Sequence, residues 1–312
     1  MDSFVANIRI ATRSSRLALW QAEYVARRIQ EATGHATELV EVSTEGDRNR
    51  RDSLAQFGGM GVFTREVQTV VLQGEAEVAV HSLKDLPTVT ADGLTLGAFP
   101  VRAAQFDVLV FPAGDGEERL SLESLAIAAR VGTGSPRRRA QLLKSRPDLD
   151  VRDIRGNLDT RLRKLDEGEY DAIVLAEAGV ARLGLDGRPF VRLEPPEFYP
   201  AVGQGILGIE CRADDEVTRA ALAAIDDPAV RAEALAERAA LRTLRAGCHA
   251  PVGVSSQRDG DQLRLTVVVF ALDGSRQIEA TDSDVLSGSE ALGKRVAEQV
   301  IRGGGAELLG QA

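Results

Sequence analysis

The sequence predicts an α/β chain made of two similar halves, followed by a smaller α+β unit. Apolar runs of strand length alternate with amphipathic runs of helix length through residues 1–100, and the alternation restarts at "ARVGT". Each half contains one strand, Thr/Ser turn, helix passage, "RIATRSSRLALW" and then "ARVGTGSPRRRAQL". The last stretch changes character, to one long Ala-rich helix and then strands joined by Asp-Gly turns.

Taken in order, "NIRIAT" reads as a strand and "SSRLALWQAEYVARRIQEAT" as a helix, with Leu17, Trp20, Tyr24 and Ile29 near one face and Gly34 as its stop. "ELVEVST" is a strand, "REVQTVVLQG" a helix and "AEVAVHS" a strand. In the second half "ARVGT" is a strand, and "SPRRRAQLLKS" is a helix opened by Ser135 with Pro136 at its first position. "LDVRDIRG" (a strand closed by Arg155), the helix "NLDTRLRKLDEG" and the buried strand "YDAIVLA" complete a layer around a mostly parallel sheet. "DPAVRAEALAERAALRTLRAG" is a helix closed by Gly247. "PVGVSSQ", "QLRLTVVVFAL" and "SRQIEATD" are strands turned at Asp259-Gly260 and Asp273-Gly274, and "EALGKRVAEQVI" is a final helix. This third unit is about 85 residues, ordinary for a small domain.

Composition removes several function classes. No apolar run approaches the ~18 residues of a membrane span, and the start lacks a basic segment followed by an apolar one, so no signal peptide is expected. Two cysteines, Cys211 and Cys248, make no disulfide framework, and a cytoplasmic location is expected. Lysine occurs at positions 84, 144, 164 and 294 alone, so 38 − 4 = 34 basic residues are arginine. Coding bias is one reading; the other is that arginine's planar fork suits carboxylate or phosphate. A net charge of −9 and 4% aromatics argue against nucleic acid, which wants a basic stripe with stacking platforms. The expected partner of Arg137-Arg138-Arg139 is a small polyanion.

Three local features carry chemistry. In "VAVHSLKDLPT" an apolar strand runs out into Lys84 and Asp85, at a strand end where α/β folds place their sites. The alternatives are a solvated loop, or an anion contact beside a carboxylate able to stabilise a developing cation. His81 reads as structural, and three unclustered histidines indicate no metal site. In "VRDIRGNLDTRLRK", Arg163 and Lys164 read as a solvated helix face. In "RAGCHAPVG", Cys248 sits in a turn, whereas Cys211 in "LGIECRAD" reads as a small core residue. Helix N-termini favour anions, so each Thr/Ser turn is a candidate anion site, with helix capping as the plainer explanation.

Seven motifs, "IATRSSRLALWQA", "AVHSLKDLPT", "VGTGSPRR", "RGNLDTRL", "DAIVLAEAGVARLGL", "AVGQGILGIECR" and "AGCHAPVG", resemble the hydroxymethylbilane synthase (porphobilinogen deaminase) family in its order, from Ile8 to about Gly253. The resemblance implies a monomeric cytoplasmic transferase of tetrapyrrole biosynthesis that joins four porphobilinogens head to tail, releasing ammonia, into hydroxymethylbilane. It implies three domains, the first two like a periplasmic binding protein with a cleft between them. Domain 1 would be residues 1–102 and 203–222, domain 2 residues 103–202, and domain 3 residues 223–312. Asp85 matches the catalytic carboxylate. Cys248 matches the thioether anchor of a dipyrromethane cofactor, with Lys84, Ser15, Ser82, Thr133, Ser135, Arg137 and Arg138 matching its other contacts. Arg13, Arg155, Arg161, Arg182 and Phe63 match substrate-binding positions. Departures from the pattern are Glu45 where arginine is common, Met60 for lysine, Gly134 for serine, Glu177 at a usually small position, and "VRAAQFD" without the Asp-Pro-Arg often found there. The rival class is a non-catalytic bilobal protein binding a small polyanion; it predicts an export signal and no special role for Cys248.

Overall fold

Strand β1 (Ile8–Arg13) points Ile8 and Ile10 into a core, and the chain turns at Ser15 into helix α1 (Arg16–Thr33). The computed structural model describes residues 7–43, 64–114, 120–185, 187–247 and 249–311. The elements continue as β2 (Thr37–Val42), α2 (Arg65–Leu72), β3 (Val78–Ser82), β4 (Leu94–Ala98) and β5 (Asp107–Val110). Next come β6 (Arg130–Gly132), α3 (Pro136–Ser145), β7 (Asp150–Arg152), α4 (Leu158–Asp166), β8 (Ala172–Ala176), α5 (Glu177–Arg182) and β9 (Phe190–Leu193). After β10 (Leu207–Arg212), α6 (Glu216–Ala223) and α7 (Pro228–Thr243) come β11 (Val252–Asp259), β12 (Gln262–Phe270), β13 (Gln277–Val285) and α8 (Ser289–Val300), which runs on through a π-helical turn (Ile301–Gly305) into a short α9 (Ala306–Leu308).

The chain forms two compact units. The first, Met1–Ala103 with Ile206–Ala234, holds a sheet in the order β2-β1-β3-β10-β4. β1 runs parallel to β2 and β3, while β10 is antiparallel to both of its neighbours. The second, Ala104–Gly205 with Leu235–Ala312, holds a sheet in the order β7-β6-β8-β5-β9, in which β5 is the reversed strand. Each sheet is therefore mostly parallel with one strand against the rest, as the alternating pattern predicts. Strands β4, β5, β9 and β10 and helices α5 and α6 were not legible in that pattern. β10 shows why: its partners lie far back in the chain, Gly208 opposite His81 and Cys211 opposite Thr95.

The α+β unit is also present, as an antiparallel β11-β12-β13 sheet covered by α7 and α8 through Ala236, Ala240, Leu292 and Val296. Its two hairpins turn at Gly260 (φ 58°) and Gly274 (φ 76°), as the Asp-Gly pairs predict. Within the second unit Tyr199, Val268 and Phe270 pack with Ala140 of α3, which ties this sheet to the helix behind it.

Three local expectations need correction. Helix α1 buries Gln21, Ala22, Val25, Ala26 and Ile29, while Trp20 stacks on Tyr24 with ring centroids 5.5 Å apart. Ile29 is buried as expected and Tyr24 packs partly buried against the same core, but the helix face is turned towards Ala22, Val25 and Ala26, whose small side chains allow close approach to the sheet. Helix α7 ends at Thr243, before Gly247. Arg245 adopts φ 49°, and the amides of Ala246 and Arg245 donate to the carbonyls of Leu241 and Arg242, so the termination pattern common at glycine is built here on arginine. β7 stops at Arg152, so Arg155 lies beyond the strand it was expected to close.

Candidate functional site

In the first unit, β3 is buried along Val78, Ala79 and Val80 and runs into a single 3₁₀ turn, Leu83–Asp85. Leu83 is 2% exposed and its amide donates to the Ile206 carbonyl at 3.0 Å; Leu86 is also buried. With those two side chains drawn inward, Lys84 is left half-buried and Asp85 exposed. Ser82 accepts a hydrogen bond from Gln21 Nε2 at 2.9 Å. β1 pairs in parallel with β3, Ala11 opposite Ala79, so Arg13 and Ser15 leave the same sheet edge as Ser82 and Lys84. The Ser15 hydroxyl accepts from the Ala18 amide at 3.3 Å and caps α1. His81 is buried with Nε2 3.1 Å from Glu210 Oε2, and Gln68 Nε2 donates to the same carboxylate at 2.9 Å, which makes His81 structural as its sequence context suggests.

In the second unit, β6 delivers Thr133 to the start of α3. Its amide donates to the Arg152 carbonyl at 2.9 Å, and its Oγ1 accepts from the Ser135 amide at 3.2 Å. Ser135 caps α3 through the Arg138 amide, with Pro136 in the first turn. Arg137 and Arg138 then point inward, 3% and 7% exposed, onto a fully buried Asp107 at the start of β5. Arg137 Nη1 donates to Asp107 Oδ2 at 2.8 Å and to the Tyr199 carbonyl. Arg138 donates from Nε and Nη2 to Oδ1, at 3.1 and 2.6 Å, and from Nη1 to the Val174 carbonyl at 2.8 Å. Burial alone would raise the Asp107 pKa; the two guanidinia outweigh it and hold the carboxyl well below the usual range.

Sequence reasoning missed Asp107. The signal was an acidic residue leading the apolar run "DVLVF", since a carboxylate at a core position calls for a cationic partner. Two of the other arginines are held by backbone carbonyls and a third lies near a carboxylate. Arg161 Nε donates to the Gly156 carbonyl at 2.8 Å, Arg182 Nη2 donates to that of Gly205 at 2.9 Å, and Arg155 lies 3.8 Å from Asp153. Gly156 has φ 110°, and a Cβ there would fall 2.6 Å from Thr160 Cγ2, so the turn feeding α4 requires glycine. Arg163 is exposed and pairs with Glu167 one helical turn on, a solvated face as predicted. Glu177 is buried and is answered by Arg192, which donates to both of its carboxylate oxygens and lies 5.3 Å over the Phe106 ring. Chemically, the first unit offers an exposed carboxylate beside a lysine, and the second places two hydroxyl side chains next to two guanidinia fixed on a buried carboxylate.

The family model "Porphobilinogen deaminase, dipyromethane cofactor binding domain" matches residues 8–220, and "Porphobilinogen deaminase, C-terminal domain" matches residues 231–302. The chain belongs to the porphobilinogen deaminase family. The porphobilinogen deaminase of Stenotrophomonas maltophilia (strain R551-3) is 46% identical over 97% of this chain and 98% of that protein. That of Xanthomonas axonopodis pv. citri (strain 306) is 44% identical over 98% of this chain and 100% of that protein. Among solved structures, the periplasmic VFT2 domain of Bordetella pertussis BvgS covers 70% of this chain and 86% of that one at 15% identity, with a TM-score of 0.42. Enzymes of the porphobilinogen deaminase family join porphobilinogens into hydroxymethylbilane in tetrapyrrole biosynthesis, and dipyrromethane is their cofactor; this chain carries both of the family's domains.

Cys248, Phe63, Met60 and Glu45 lie outside the described residues. Cys211 is within them, fully buried in the core of the first unit, where burial pushes its thiol up to about 11. It is the inert core cysteine its sequence context indicates. Among the described residues, no helix is long and apolar enough to cross a membrane.

Proposed function

We propose that this member of the porphobilinogen deaminase family uses Asp85 as its catalytic carboxylate and Cys248 as the thioether anchor of dipyrromethane. Cleavage of the C–N bond in the aminomethyl group of porphobilinogen releases the amino nitrogen as ammonia and leaves the carbon as a cationic methylene-pyrrolenine, and a fixed carboxylate at the pyrrole N–H stabilises that charge as it develops. The observation that carries this reading is the placement of Asp85. It is the exposed member of a turn whose neighbours Leu83 and Leu86 are buried, at the end of a buried strand.

Pyrrole acetate and propionate groups are carboxylates, and the donor set fits them. Thr133 and Ser135 supply hydroxyls at the start of a ten-residue helix, with Arg137 and Arg138 beside them. These four, with Lys84, Ser15 and Ser82, would hold the cofactor. Arg13, Arg155, Arg161, Arg182 and Phe63 would bind substrate carboxylates and rings. Dipyrromethane supplies the pyrrole terminus to which porphobilinogen is joined. Three functional domains with the bounds 1–102 plus 203–222, 103–202 and 223–312 are supported by the three separate sheets. Action in the cytoplasm is supported by the scarcity of cysteine. Action as a monomer is what the family resemblance implies.

The test is the mass of the denatured full-length protein, which should exceed that of the sequence by two linked pyrroles. Peptide mapping should put the addition on Cys248 and leave Cys211 unmodified. Cys248→Ser should fold, lack the addition and lose most turnover. A fully active wild-type protein with no added mass refutes the anchor.

A further inference from the structure

Arg137 and Arg138 share one counter-ion, and that sharing sets the charge they can offer. Both Asp107 oxygens are engaged: Oδ2 by Arg137, and Oδ1 by Arg138 together with Gln204 Nε2 at 3.0 Å. Gln204 is 1% exposed, and its Nε2 also donates to the Gln105 carbonyl at 2.8 Å. The next residue back, Gly203, is held in turn. Its amide donates to Glu237 Oε2 at 2.6 Å, and Glu237 Oε1 accepts from Ser256 Oγ at 2.6 Å, both carboxylate contacts being buried. A continuous run of buried hydrogen bonds and backbone therefore joins α7 and β11 of the C-terminal sheet to Asp107.

We propose that Asp107 is a positioning residue that fixes the two guanidinia and leaves the trio with a net charge of one, so that the pair takes one ligand carboxylate. The count is two guanidinia against one carboxylate, and Gln204 adds a donor without adding charge. In a buried setting an unmatched second positive charge is costly, and a fully engaged carboxylate also removes rotamer freedom from both arginines. One monocarboxylate group then completes the neutralisation, which suits a pyrrole side chain better than a dianion such as phosphate. This inference rests on the reading of Arg137 and Arg138 as cofactor-binding residues.

The experiment follows cofactor loading. Full-length apoprotein is incubated with porphobilinogen, and the fraction gaining two pyrroles is read against time by denatured intact mass, at several ionic strengths. Wild type is compared with Asp107→Asn, Asp107→Glu, Gln204→Leu and Arg138→Leu, each with its melting temperature. Asp107→Asn should load at least tenfold more slowly, because the guanidinia are no longer fixed, and with a steeper salt dependence, because its site carries two net positive charges. Asp107→Glu should recover part of the rate, and Gln204→Leu should fall between it and wild type. Damage confined to the fold would lower the folded fraction and leave the salt slope where it was, which overturns the proposal. If Asp107→Asn does not fold, Gln204→Leu and Asp107→Glu carry the test, and wild-type loading by both overturns it. Normal loading by Arg138→Leu sinks the underlying arginine reading; slow loading by Arg138→Leu with wild-type loading by the Asp107 and Gln204 variants sinks this inference alone.

Discussion

Asp85→Asn separates chemistry from folding because the structure gives the two effects different sizes. Asp85 is exposed, and its turn is held by Leu83, Leu86 and the Leu83 amide on Ile206, none of which the substitution touches. A surface change of this kind alters stability by about 0.5 kcal/mol or less. For a unit of this size that is a melting shift of about 2 °C or less. Asparagine keeps the shape and hydrogen-bonding capacity and removes the charge. Removing one preorganised electrostatic group costs about 10²-fold or more in turnover, which is about 2.7 kcal/mol of barrier. The assay is ammonia release and tetrapyrrole absorbance at saturating porphobilinogen, beside a thermal melt of the same sample. Because the interaction develops with the transition state, kcat and kcat/KM should fall together while KM changes little. Near-normal ammonia release refutes the catalytic role. A lost activity accompanied by a melting drop of many degrees would place Asp85 with the fold instead.

Arg138→Leu should abolish cofactor assembly or turnover and also lower stability, since it strips a buried carboxylate of one of its two cations, a change that commonly costs about 3–5 kcal/mol; Arg163→Leu, on a solvated face, should leave both nearly unchanged, and equal effects in the two variants would contradict the assignment. Acidification should destabilise the protein. Asp107 has a folded pKa depressed below its ordinary 3.8, so its contribution is fully present above about pH 5 and is lost as pH falls through 3.8 towards the folded value. Glu77, Asp171 and Asp215, also depressed, act in the same direction. Urea midpoints between pH 6 and pH 2.5 check this, and a midpoint that rises on acidification through pH 4 contradicts it.

Features that depend on neighbours along the chain could be read before any fold was known. The alternation of apolar runs marked β1, α1, β2, α2 and β3 and their counterparts in the second half. Ser135 announced its helix because an N-cap acts within three residues. Gly260 and Gly274 announced their hairpins because a turn is local. The positions of Asp85 and of the arginine pair were legible too, since strand ends and helix starts are local landmarks, and family motifs marked the same positions. Tertiary structure alone decided what those residues meet. β10 could not be placed from its own residues, because it takes its position from β3 and β4, which precede it by more than a hundred residues. The rotation of α1 about its axis depended on how near the sheet lets a helix come, which put Ala22, Val25 and Ala26 inward with Ile29 and left Tyr24 only partly buried. Arg137 and Arg138 read as three adjacent arginines with Arg139, yet two turn inward to Asp107, while Arg139 stays exposed with Nη1 on the Val151 carbonyl. Periodicity can say that a helix has an inner side, but the charge waiting there belongs to a strand thirty residues earlier, and only the folded chain brings the two together.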